Sequence, residues 1–111
     1  MNPKVTTLEA IEKELETSPT PGRLADIRVL LSAKYAYATN EYEKVLMAKP
    51  SIWGEMRLNH KSDTATEREW EGTPEGQAEM HWKFQIKKIE RMMSAIKTLI
   101  EVKTGEARNL Y

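Results

Sequence analysis

The sequence predicts an all-α protein: a long antiparallel helical hairpin with coiled-coil-like packing, a short helical elbow at its tip and a short N-terminal helix. Two stretches, about 21–48 and 74–104, carry apolar residues at successive steps of three or four, which is the period of an α-helix. Each stretch opens with Thr-Pro, at Thr20-Pro21 and Thr73-Pro74. Such a pair supplies a hydroxyl to cap free backbone N–H groups and a proline where the missing N–H costs nothing.

Taken from the N-terminus, Thr6 followed by Glu9 resembles a capping box. A helix over roughly 7–16 should follow, with Leu8, Ile11 and Leu15 on one stripe that must dock on something. Ser18-Pro-Thr-Pro-Gly22 then forms a hinge, since proline removes a donor and restricts the residue before it. The second helix aligns Leu24, Ile27, Leu31, Tyr35, Ala38, Tyr42 and Val45, and Pro50 closes or kinks it. Residues 51–72 are too apolar for a solvated loop, with Ile52, Trp53, Met56, Leu58 and Trp70 among them. One or two short helices are expected there, started by Thr64 with Glu67 or by Thr66 with Glu69. The last helix aligns Ala78, Trp82, Ile86, Ile89, Met93, Ile96 and Ile100. Gly105 would cap it, with Lys103 suited to the negative end of the helix dipole and residues 105–111 as a tail.

A chain of 111 residues fits a single domain but leaves little core for a lone monomer. Cysteine is absent, so neither disulfides nor thiolate zinc can supplement that core, and self-association is the remaining common route. On a wheel of about 100° per residue, the apolar arc of the last helix covers roughly 140°. That exceeds what one hairpin partner covers, so Met92 and Leu99 are candidate oligomer contacts unless a third helix reaches them. No apolar run approaches the roughly 20 residues of a membrane span and no signal-peptide core is seen, which reads as a cytoplasmic protein with no membrane association.

Lys and Arg together number 17 and Asp and Glu 17, so net charge is zero. Its distribution is uneven. Residues 62–79 hold six acids against Arg68, whereas 81–103 hold six bases against Glu90 and Glu101. Lys83, Lys87 and Arg91 recur every fourth residue, with Lys88 beside them and Phe84 in the same sector. Basic side chains neutralise phosphates and an exposed aromatic stacks on an unpaired base, which makes these five the candidate DNA-binding residues. The same pattern also fits a solvated helix face paired along its length with Glu75, Glu79 and Glu90. Trp53, Trp70, Glu67, Glu69 and Glu71 in the elbow are candidate partner-interface residues, although large aromatics more often close the end of a core.

Catalytic and cofactor signals are lacking. His60 and His81 have no second ligand at metal-site spacing, and no phosphate-binding glycine loop or nucleophile motif occurs. No metal or cofactor is expected, and the chain reads as non-enzymatic.

A Tyr-rich helix, then KPSIWGEMRLNHKSDTATEREWEGTPEG, then IERMMSAIKTLIE and a short EARNLY tail resembles small helical bacteriophage proteins of the replication and recombination region, including recombination mediators of the UvsY kind. The resemblance covers about residues 24–111 as a helix pattern. It implies a helical oligomer that binds single-stranded DNA, with a recombinase or a single-strand-binding protein as partner; a host protein is the partner in the adaptor reading that follows. A protein-only adaptor or inhibitor of a host complex, working through the acidic elbow, and a virion or assembly component are the other readings.

Overall fold

A computed structural model describes residues 7–109 as four α-helices. They are α1 (Leu8–Leu15), α2 (Pro21–Arg57), α3 (Asp63–Gly72) and α4 (Pro74–Asn109), with no strand among the described residues. The long helices α2 and α4 pack against each other as a helical hairpin. The described chain separates into two compact units, residues 7–35 with 88–109, and residues 36–87.

In the first unit α1 docks beside the first part of α2 and the last part of α4. Its cap is Thr7, whose hydroxyl accepts from the Ala10 N–H at 3.1 Å. The cap therefore sits one residue later than the Thr6–Glu9 box, and Thr6 lies outside the described residues. Ile11 is fully buried, as are Leu24, Ile27, Leu31 and Ile96, with Ile89 at 1 %. Two ion pairs hold the small helix in place. Lys88 reaches Glu12 at 3.0 Å, and the Arg23 guanidinium donates through Nε and Nη2 to both Glu14 oxygens, the second at 2.8 Å.

The hinge is tied as well. Pro19 is buried, and Ser18 adopts a left-handed φ of 54°, a conformation that disfavours most side chains. Lys103 donates to the carbonyls of Ser18, at 3.2 Å, and Pro19. It thus clasps the hinge and does not serve the end of its own helix. That end lies further on: α4 runs through Gly105 to Asn109, and no glycine in the chain has a positive φ. The expected cap at Gly105 and tail from 105 are corrected accordingly. Residues 110 and 111 lie outside the described range.

Glu14 gives this unit a pH dependence. The hydrogen bond from Arg23 is the main reason its carboxyl lies below the usual carboxylate range; partial burial opposes the shift and Coulombic attraction to Arg23 adds to it. A carboxyl depressed in the folded state stabilises above its unfolded value, and that contribution disappears as pH falls through the folded value. Glu14→Gln should therefore destabilise at neutral pH and match the wild type in acid. Unfolding curves of both proteins across that range, with amide exchange in α1, measure the convergence.

The second unit holds the rest of α2, α3 and the start of α4. Here α2 continues through Pro50 to Arg57, beyond the expected end near residue 48, so the elbow holds a single helix, α3. An interior proline costs about 3 kcal/mol. Ile52, Trp53 and Met56, all half-buried, extend the inward row past the proline, and their packing offsets that loss. Arg57 then closes the turn, with Nε 2.7 Å from Asp63 and Nη1 2.6 Å from the His60 carbonyl.

Ser62 starts α3, accepting from the Ala65 N–H at 3.1 Å, so neither Thr64 nor Thr66 is the cap. This start places Thr66 and Trp70 one turn apart on the inward face, at 0 % and 1 % exposure. The buried Thr66 hydroxyl is satisfied by the Ser62 carbonyl at 2.9 Å. Thr73 joins two helices, since its hydroxyl donates to Trp70 O at 2.6 Å and accepts from the Gly76 N–H at 3.0 Å.

Candidate nucleic-acid interface

Within the second unit, Met80, Lys83, Phe84 and Lys87 face away from the core of α4. Their spacing of three and four residues sets them on one sector of the helix, about half a turn from Ala78, Trp82 and Ile86. Phe84 is 63 % exposed and Met80 48 %. Lys83 and Lys87 are exposed and form no ion pair within the described residues. The acids that could have neutralised them along the helix do not. Glu79 turns inward to Lys49 at 3.2 Å and to Trp70 Nε1 at 3.4 Å, while Glu75 is exposed with no lysine on it.

The other two basic candidates lie in the first unit and differ. Lys88 is committed to Glu12 and holds α1, a structural role that removes it from a free cationic face. Arg91 is exposed and has no ion pair among the described residues. Met92, expected to be covered by a third helix or by another subunit, is only 6 % exposed in the single chain; it follows Lys88 by one turn on the side where α1 lies. Leu99 is half-buried.

The elbow candidates are mostly used internally. Trp70 is core. Trp53 is half-buried and donates from Nε1 to Glu67 at 2.9 Å, and Glu67 also lies 3.6 Å from Lys49. Glu69 is paired with His60, leaving Glu71 as the exposed candidate without a printed pair. Lys49 is the hub. It bridges Glu67 and Glu79 and stands 5.2 Å over the Trp70 ring. Sequence reasoning passed over it, although the signal was there: Lys49 follows Val45 by four residues on the same inward row, where a charge needs a partner.

Tyr37, Trp82 and His81 were also not grouped by sequence. Tyr37 meets Trp82 edge-on at 5.6 Å between centroids, and His81 meets it at 4.7 Å. Among the described residues no group of three His, Asp or Glu is arranged to hold a metal ion, and no helix is long and apolar enough to cross a membrane. No protein family, curated protein or solved structure matches the chain.

Proposed function

We propose that this is a non-enzymatic helical phage protein that acts in DNA recombination or replication. It binds single-stranded DNA through the outward face of α4 and works as an oligomer with a protein partner. The observation that carries the reading is Phe84, 63 % exposed on the same face as two lysines with no carboxylate to satisfy them. Lysines without internal partners keep their full charge for phosphates, and a solvent-facing ring is available to a base. Weak contacts of this kind gain strength when copies of the chain engage one strand together. The protein-only adaptor has less support, because Trp70 is buried and Glu67 and Glu69 are already paired.

Anisotropy of a labelled single-stranded oligonucleotide, titrated at low and near-physiological salt, tests this. Lys83→Glu with Lys87→Glu should weaken binding at least about tenfold at low salt and lower the slope of log affinity against log salt by about 1 to 2. Sedimentation of the same variant should show the wild-type assembly state. Equal affinity of variant and wild type would remove α4 as the contact surface.

A further inference from the structure

Within the second unit, the outward side of α2 has the pattern of a coiled-coil seam. The inward row runs through Ala38, Tyr42, Val45 and Lys49, all buried or half-buried. About half a turn away, Tyr37, Asn40, Lys44, Met47 and Ser51 follow one another at steps of three, four, three and four, the alternation of a and d positions in a heptad. All five are exposed, Tyr37 at 61 % and Met47 at 76 %. A helix with apolar side chains on both sides is expected to be covered on both.

The relief of this surface fits a facing helix. A hollow of about 420 Å³ is lined by Tyr37, Asn40, Glu41, Glu43, Lys44 and Met47. These six make two successive holes of four residues, first Tyr37, Asn40, Glu41 and Lys44, then Asn40, Glu43, Lys44 and Met47. In a coiled coil each such hole receives one side chain of the neighbouring helix.

Charge selects which helix. Glu43 is exposed and has no ion pair among the described residues, while Lys44, 74 % exposed, pairs with its own Glu41 at 3.0 Å. A second copy of α2, parallel and in register, would insert its Asn40 into the first hole and its Lys44 into the second, beside Glu43. Two-fold symmetry forms that contact twice. The two Asn40 amides, each both donor and acceptor, would face each other, and a polar residue at such a position fixes register and strand number. An antiparallel pair sets each edge of the seam against itself. One edge holds Ala36, Glu43 and Pro50 and the other Glu41, Ala48 and Glu55, with no base on either.

We propose that this face of α2 is a homodimer interface, a short parallel coiled coil with a second copy of the chain. The proposal rests on the oligomeric part of the function above and names its surface. Lys83 and Phe84, which face away from the core on α4, stay free on each copy, so the dimer presents two strand-binding faces. The helix is already formed in the single chain, and association has only side chains to order.

Sedimentation equilibrium with charge reversals and one introduced cysteine tests this. The wild type should dimerise reversibly. Glu43→Lys and Lys44→Glu should each weaken dimerisation at least about tenfold, since like charges then meet at both symmetry-related contacts. An equimolar mixture of the two variants should regain the dimer, because two adjacent bases of one then face two adjacent acids of the other. The chain has no cysteine, so Asn40→Cys should join two copies through a disulfide in oxidised glutathione, and Phe84→Cys should not. If either charge variant loses helicity by circular dichroism, cross-linking at residue 40 decides alone. A wild type that stays monomeric overturns the interface and the oligomeric reading together, while leaving DNA binding by α4 to its own test. Assembly that survives both reversals, or that cross-links at residue 84 and not at 40, overturns this interface and leaves the oligomeric reading standing. Folded, weakened variants that fail to associate on mixing overturn the parallel pairing.

Discussion

Gly76→Ala should destabilise the protein by about 3 kcal/mol or more, although alanine is the better helix former. A Cβ at residue 76 would lie 1.8 Å from the Trp70 carbonyl oxygen, 2.6 Å from its carbon and 3.1 Å from Glu71 Cα. These are backbone atoms, so no side chain can rotate aside. The Trp70 carbonyl is also fixed by the Thr73 N–H at 3.0 Å and the Thr73 hydroxyl, so relief requires α3 and α4 to part at their junction and to draw Trp70 from the core. Overpacking against side chains costs about 1–3 kcal/mol; a clash with main chain belongs at or above the top of that range. The midpoint of thermal unfolding should fall on the order of 10–20 °C. Gly54→Ala is the matched control. It makes the same chemical change in the interior of α2, where nothing lies within 4 Å of the added carbon, and should gain about 1 kcal/mol. Opposite signs for the two substitutions, read by far-UV circular dichroism, are the expected result; two gains would mean that the α3–α4 junction is not closely packed.

The hairpin was legible because its signals are local and redundant. Apolar steps of three and four mark α2 and α4, and both Thr-Pro starts act as caps: Thr20 accepts from the Arg23 N–H at 3.2 Å and Thr73 from that of Gly76. The boundaries that failed are those where tertiary contacts overrule a local signal. Pro50 reads as a stop, yet Ile52, Trp53 and Met56 still have an inward side to fill, so the helix continues. Gly105 reads as a cap, yet its φ is not left-handed and the helix passes through it. Thr64 and Thr66 read as rival starts for α3, yet Ser62 caps it, and that earlier start buries Trp70 one turn beyond Thr66.

The same division holds for the candidate site. The outward set of Lys83, Phe84 and Lys87 follows from helical phase alone and stands exposed as phase requires. Lys88 departs from it because Glu12, 76 positions away in sequence, captures it, and no local pattern announces such a pairing. Met92 shows the converse. Its phase places it at the edge of the apolar arc, and phase cannot tell cover within the chain from cover by a second chain; within the single chain it is 6 % exposed.

Lys49→Met should cost about 2–3 kcal/mol, and adding Glu79→Gln should return most of it. Methionine keeps the length and apolar stem of lysine and removes the charge, so the substitution isolates the electrostatic part of the hub. Glu67 loses little, because it is 42 % exposed and retains the Trp53 N–H at 2.9 Å; solvent screening discounts its share. Glu79 has no such reserve. Its side chain is 18 % exposed, one carboxylate oxygen is buried without a hydrogen-bond partner, and after loss of Lys49 the other keeps only Trp70 Nε1 at 3.4 Å. Breaking a well-buried pair costs about 3–5 kcal/mol because an uncompensated charge remains, and the residual exposure here brings the figure lower. Glutamine at 79 removes that charge while preserving shape, so the double variant should approach the wild type and the coupling between the two sites should be clearly favourable in a denaturant double-mutant cycle. Glu67→Gln on the Lys49→Met background should recover far less. If the two glutamine substitutions rescue equally, the charge on Glu79 is no more isolated than that on Glu67, and Lys49 holds the elbow through its stem packed on Trp70 and not through its ammonium.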